Sequence, residues 1–300
     1  MKVCFITKMP TWSSAIMRGH QMAEFLNKFK DLEAVVCDFK GVKEHLDADF
    51  FVFCKFIDRT IARILHKRGK RIIWDVIEYD KNFIPDALND GYLDAVITTN
   101  KYTTEVIERL LSLDNKPLLQ IIPHHFSNFD NVTIPKDRKV ETFGYIGILN
   151  QFEGHQLMLD YCSSRKLLWK PIGEQSHQDD KFPNLVEDTN SLDVGVIFLN
   201  PHIHEAKLKY KSNVKFTNML SHGVPVITVP YQSYKEVDPE YPLFVSNIDR
   251  MLVCVEKFTR FPEYHREMSE YALKISKPYH INNICKQYLE LFTACLNKGR

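Results

Sequence analysis

The sequence has no excess of charge of either sign: 39 lysines and arginines stand against 38 aspartates and glutamates. Nothing therefore draws the chain as a whole toward nucleic acid or a strongly anionic membrane. It has no cysteine pair spaced CxxC, and its seven cysteines (4, 37, 54, 162, 254, 285, 295) are scattered and odd in number. That pattern argues against a zinc site or a disulfide framework and for a reducing, cytoplasmic setting. No stretch approaches the roughly 20 apolar residues needed to cross a bilayer. The apolar run in the opening MKVCFITKMPTW is too short for a signal peptide, so any membrane contact is expected to be peripheral. Sequence repeats and low-complexity tracts are missing too.

What is present is an alternation of short β-branched or aromatic runs with amphipathic segments, the pattern of a parallel sheet covered by helices on both faces. In the first half VCFIT (3–7), AVVCDF (34–39), FFVFCK (50–55), RIIWDV (71–76), AVITT (95–99) and LLQIIP (118–123) read as strands. A helix with Met22, Phe25, Leu26 and Phe29 on one face follows the first, capped at Ser13 or Ser14, and Thr103 or Thr104 opens another. Residues 126–140 are polar, contain a proline and lack either period, which makes them a linker. The alternation then restarts with strands at 143–148, 167–173, 194–199, 225–229 and 243–246, and helices at 154–164, 213–223 and 248–258. Beyond Pro262 the chain reads as helical, with Tyr288, Leu289, Leu291, Phe292 and Leu296 as apolar surface. The expected fold class is α/β with two Rossmann-like, doubly wound parallel-sheet domains. Their expected bounds are 1–130 and 131–275, with 276–300 a helix packing back on the first.

The approach to the 213–223 helix, together with its first turn, carries Lys207, Lys209, Lys211 and Lys215. A helix N-terminus offers unpaired N–H groups and a positive dipole, so lysines there suit phosphate or ribose oxygens without a metal. The plainer alternative is that these lysines coat a solvated loop. Gly147, at a strand-to-helix turn, suits close approach of backbone to a phosphate, although a tight turn alone needs glycine equally. Gly144 reads as a strand residue kept for packing. Asp47-Ala-Asp49 precedes a strand, where a metal–nucleotide site needs it to follow one, and is read as a turn. His66-Lys-Arg-Gly-Lys-Arg71 is read as a solvated helix end.

The order of segments resembles the GT-B glycosyltransferases, and is similar to the retaining family 4, or group 1, enzymes. The resemblance is carried by Lys211-Ser-Asn-Val-Lys215-Phe-Thr-Asn218-Met-Leu-Ser-His-Gly223-Val-Pro225-Val-Ile227. Met17-Arg18-Gly19, Ile121-Ile122-Pro123, Gly144-Tyr-Ile-Gly147 and the helix after Lys277-Pro-Tyr-His support it. It implies a metal-independent glycosyltransferase of hexosyl type that uses a nucleotide-diphosphate sugar as co-substrate, with no other cofactor, no metal and no nucleic-acid partner. The implied donor residues are Gly147, Tyr210, Lys211, Ser212, Lys215 and Asn218, and the acceptor is a glycan, lipid-linked or other hydroxyl compound. Tyr210 and Asn218 stand where the family carries two glutamates, and Ile148 and Glu153 where it carries an arginine and a lysine. An epimerase or hydrolase of sugar nucleotides, or a silent binding subunit, is compatible with the same features.

In this family a histidine or acid at the end of the fourth strand of the first domain lies near the transferred sugar. The matching stretch here, Trp74 to Asp80, holds Asp75, Glu78 and Asp80. Asp75, then Glu78, are the implied catalytic candidates, as general base or as stabiliser of positive charge. A solvated polar turn is the alternative for both. Trp12, in the loop after the first strand, Arg18 and His124 are the implied acceptor-binding residues. The neighbouring pair His124–His125 has no third ligand spaced to complete a metal site.

Overall fold

The computed structural model describes residues 1–77, 84–111, 116–147, 149–173, 185–199 and 208–298. Long apolar runs give strands buried on both faces, and Phe50–Cys54 is buried at every position as a central parallel strand must be. The first sheet contains β1 (Lys2–Thr7), β2 (Glu33–Cys37), β3 (Phe50–Cys54), β4 (Arg71–Val76), β5 (Ala95–Thr98) and β6 (Leu118–Ile121), in the order β2-β1-β3-β4-β5-β6. The second contains β7 (Thr142–Ile146), β8 (Leu168–Ile172), β9 (Val194–Ile197) and β10 (Val226–Thr228), in the order β10-β9-β7-β8. Among the described residues every pairing of these strands is parallel. In each sheet the chain lays strands first to one side of its opening strand and then to the other. The reversal falls between β1 and β3 and between β7 and β9. Open α/β sheets bind ligands at the carboxyl ends of the strands beside such a reversal.

The chain divides into two compact units. One comprises Met1–His125, Tyr210–Ser212 and Ile281–Arg300, and the other Phe126–Lys209 and Asn213–His280. In the first unit the C-terminal helix Ile281–Asn297 buries Ile281, Ile284, Cys285, Tyr288, Leu291, Phe292 and Cys295, a stripe at helical spacing. Phe292 meets Phe50 at 4.9 Å between ring centroids, and Tyr288 meets Phe5 at 6.0 Å. Leu296, expected on this apolar surface, is 54% exposed, at the margin of the buried stripe beside the end of the helix. In the second unit the helix Pro262–Ser276 closes the core, and Ser269 donates to the Gly223 carbonyl at 2.6 Å.

Three local expectations need correction. Residues 243–246 form no strand: Phe244 makes a single bridge to Thr228, the last residue of the three-residue β10, and Asn247 then caps the helix Ile248–Arg260. The helix Lys101–Leu110 is capped by Asn100, whose side chain accepts from the Thr103 N–H at 2.8 Å, so Thr103 lies inside it. The first helix starts at Ser13 with Trp12 in the cap position and no side-chain cap, then passes through a π-helical stretch Ile16–Gln21 before ending as Met22–Leu26. Residues 122–141 contain neither helix nor strand.

Candidate functional site

In the second unit the chain leaves β7 through Gly147, whose φ of 134° is strained for any residue with a side chain. Its N–H donates to the Ile172 carbonyl at 2.8 Å, which continues the ladder with β8. A Cβ at this position would overlap the Lys215 ammonium and crowd the Tyr145 hydroxyl. Lys215 lies in the first turn of the helix Val214–Ser221, and its Nζ donates to Tyr145 Oη at 2.7 Å from 4.7 Å above that ring. Burial, with the neighbouring Tyr231 adding to it, pushes the Tyr145 phenol up, so it remains a neutral acceptor beside the ammonium. Asn213 occupies the cap position of this helix without capping it, and its Oδ1 is buried with no hydrogen-bond partner among the described residues. The first N–H groups of a helix have no partner within it. A lysine, a helix N-terminus and a side-chain-free turn thus meet at the carboxyl end of β7, an arrangement that suits an anion with oxygen acceptors. Gly144, within β7, serves packing: a Cβ there would overlap the Leu192 side chain.

The other nominated donor residues are placed differently. Asn218, 4% exposed, accepts the Ser127 N–H on its Oδ1 at 2.7 Å, so its amide oxygen fastens the irregular segment after β6. Tyr210, Lys211 and Ser212 group with the first unit. The Asn100 amide reaches the carbonyls of Tyr210 and Lys211 at 3.5 and 3.4 Å, and the Tyr210 ring lies 5.2 Å from Tyr102. Lys207 falls outside the described residues.

In the first unit Asp75, the fifth residue of β4, is fully buried. Arg18 holds both its oxygens, Nε to Oδ2 at 2.7 Å and Nη2 to Oδ1 at 3.0 Å, and Tyr288 donates to Oδ2 at 2.7 Å. Arg18, also fully buried, donates in addition to the Pro123 carbonyl at 2.9 Å. Its neighbours Asp75 and Tyr288 outweigh the cost of burying the guanidinium and keep it charged. Glu78 lies outside the described residues. Trp12, half-buried, packs edge-to-face on Phe56 at 5.9 Å, with the Lys55 ammonium 5.1 Å from the Trp12 ring. His124 is 3% exposed, and its Nδ1 has no partner among the described residues. Burial, and after it the charge of Arg18, holds its pKa well below the ordinary histidine value, so the ring is neutral.

Sequence reasoning overlooked Tyr145, Asn213, Lys55, Phe56 and Tyr288. An asparagine directly before a helix is a legible capping signal for Asn213, whereas Tyr288 reads in the sequence only as apolar surface. Asp47 and Asp49 tie down the chain start instead: Asp47 takes the Lys2 ammonium at 2.7 Å and Asp49 the Lys2 N–H at 2.8 Å. His66 and Lys67 close the helix Arg59–Lys67 as exposed residues. Among the described residues no three His, Cys, Asp or Glu side chains gather as metal ligands would, and no helix is long and apolar enough to cross a membrane.

No protein-family model and no curated protein matches the chain. Solved structures do. The chain is similar to the GtfA/B complex, with a TM-score of 0.59 and 12% identity over 86% of this chain and 61% of that one, so it spans less than two thirds of that relative. It is similar to Anabaena HepE in complex with UDP and glucose (TM-score 0.63, 10% identity, 98% of this chain and 100% of that one). It is also similar to an alpha-glucosyltransferase in complex with UDP (TM-score 0.63, 9% identity, 99% of this chain and 100% of that one). At such identities the likeness speaks to architecture, and it agrees with the two reversing parallel sheets: the chain has the GT-B fold of these glycosyltransferases.

Proposed function

We propose that this protein is a glycosyltransferase that binds a nucleotide-diphosphate sugar on its second unit and passes the sugar to a hydroxyl acceptor without using a metal ion. The observation that carries the reading is the meeting of Gly147 and Lys215. Two residues from separate segments are packed so closely that a single Cβ would displace the ammonium. That ammonium, the open helix end and the unpartnered Asn213 Oδ1 supply charge and hydrogen bonds for a diphosphate or a ribose. The solved structures of the same fold that hold UDP, and in one case glucose as well, support a uridine nucleotide as the first ligand to try. With a lysine at the phosphates, a divalent cation is dispensable for neutralising the leaving diphosphate.

On this reading Asp75 is a positioning residue. Its carboxylate is shared by Arg18 and Tyr288 and buried, whereas a general base must reach the proton it removes. His124 offers a neutral ring nitrogen for orienting an acceptor hydroxyl. A nitrogen with so low a proton affinity is a hydrogen-bonding partner before it is a base. The engagement of Asp75 also favours a second reading, a subunit that binds nucleotide or glycan without transfer.

Calorimetry of the full chain against UDP-glucose, GDP-mannose and UDP, with magnesium or with EDTA, tests the donor site. Lys215→Ala is expected to weaken the favoured ligand by about 10–100-fold, as loss of a charge-assisted contact would, with unchanged circular dichroism. Equal affinity in the variant removes Lys215 from the site. Product formation from a panel of acceptors separates the enzyme from the silent subunit.

A further inference from the structure

We infer that the loops leaving β1 and β3 form a subsite for an acidic sugar, one bearing a carboxylate or a phosphate ester, and that the acceptor of the proposed transfer is of this class. The acceptor assignment rests on the function proposed above; the subsite itself does not.

The two loops flank the reversal of strand order in the first sheet, the place where an open α/β sheet receives a ligand. From the first loop come Lys8 and Trp12, and from the second Lys55 and Phe56. The Lys8 ammonium lies 5.1 Å from the Phe56 ring, and the Lys55 ammonium 5.1 Å from the Trp12 ring and 5.7 Å from Phe56. Both rings are only half-buried. Two ammonium groups close over two half-buried aromatic rings match a ligand that has an apolar sugar face and a negative group next to it.

Lys55 is held in this position by its backbone. Its φ is 66°, a left-handed conformation that residues with a side chain rarely adopt. Its N–H donates to the Asp75 carbonyl at 2.9 Å, and its carbonyl accepts from Trp74 Nε1 at 3.3 Å. Strain fixed from both sides in this way collects at ligand sites. A further sign of a ligand is His124, which follows the Pro123 whose carbonyl Arg18 holds, and whose buried Nδ1 has no partner among the described residues. A polar atom placed so deep without a partner is expected to be satisfied by something that enters.

The test is nitrogen-15 NMR on the full chain, following the indole N–H signal of Trp12, assigned as the one lost in Trp12→Phe. Cellobiouronic acid and glucose 6-phosphate are titrated against the neutral disaccharide cellobiose. The acidic sugars are expected to move the Trp12 signal and to bind at least roughly tenfold more tightly than cellobiose, the scale of one charge-assisted contact. Lys55→Met is expected to abolish that preference, and Lys55→Arg to keep most of it. Equal affinity for cellobiose, binding that leaves Trp12 unmoved, or an unaffected Lys55→Met variant overturns the inference. UDP is titrated in parallel: if it fails to bind while acidic sugars still move Trp12, the donor reading falls and the subsite stands. If UDP binds and transfer runs only to neutral acceptors, the donor reading stands and the acidic-acceptor assignment falls.

Discussion

Tyr288 donates its hydroxyl to Asp75 at 2.7 Å across a sequence separation of 213 residues, and so the last helix of the chain is tied to the fourth strand of the first sheet. Asp75 is already paired with Arg18 from the π-helical stretch after β1. Three segments far apart in the chain therefore converge on one buried carboxylate. A carboxylate with two guanidinium bonds and a phenolic bond has most of its acceptor capacity filled, which is the condition a buried charge requires.

Asp75→Asn is expected to destabilise the protein by about 3–5 kcal/mol, because it leaves the Arg18 guanidinium buried without its counter-charge. Tyr288→Phe removes one bond and is expected to cost about 1–3 kcal/mol. Urea unfolding measures both. If Asp75 only positions, Tyr288→Phe lowers stability while kcat per folded molecule stays within about threefold of the parent; a much larger loss of kcat at full folding would give Asp75 a direct part in the reaction.

Gly147→Ala places a methyl group where the Lys215 ammonium now sits, at a φ of 134° that alanine tolerates poorly. The expected result is a loss of donor affinity comparable to that of Lys215→Ala, together with about 1–3 kcal/mol of stability from backbone strain. The double variant checks the link: two changes acting through one ammonium fall well short of additive. Fully additive losses in calorimetry would mean that Gly147 serves the turn alone.

The sheets were legible because their signal is long and local: apolar runs such as FFVFC and RIIWDV need no tertiary information to read as buried strands. Residues 243–246 looked similar but pair at one position only, since β10 ends at Thr228 and leaves nothing further to pair with. At the candidate site Gly147 and Lys215 were legible as types, a glycine at a turn and a lysine opening a helix. Their contact was not, because spacing along the chain carries no distance. Asp75 was legible as a carboxylate at a strand end, whereas its engagement depends on Arg18 and Tyr288, which local pattern does not join to it. Asn218 stands in the second glutamate position of the resemblance, yet its oxygen is taken by Ser127, a contact that only the fold creates.

His222, 1% exposed, is held down to about 4 by burial, with the Lys136 ammonium adding to the effect, and its Nε2 has no partner among the described residues. A histidine whose folded pKa lies below its unfolded value near 6.5 binds more protons when unfolded. The sign follows: stability is lost as the pH falls from about 6.5 toward 4 and levels off below that, by a few kcal/mol in all. His124 acts in the same direction. Chemical denaturation at a series of pH values should show this loss, and His222→Gln should flatten part of it. A variant with the same slope as the parent would assign the acid sensitivity elsewhere.

Asn218 and Asn128 together hold the segment between the sixth and seventh strands. Asn218 Oδ1 takes the Ser127 N–H, and the Asn128 amide donates to Thr133 Oγ1 at 2.6 Å and to the Ser221 carbonyl at 3.1 Å. Asn218→Ala leaves a backbone donor without a partner and is expected to cost about 1–3 kcal/mol. Because the break is local, trypsin should cut sooner at Lys136, Arg138 or Lys139 before global stability is exhausted. Asn218→Asp keeps an acceptor for Ser127 and should restore resistance. Donor affinity then separates two roles: if Asn218 only fastens this segment, the aspartate variant binds nucleotide as the parent does. If its amide also reads the ligand, exchanging amide for carboxylate changes donor affinity even though the segment is held.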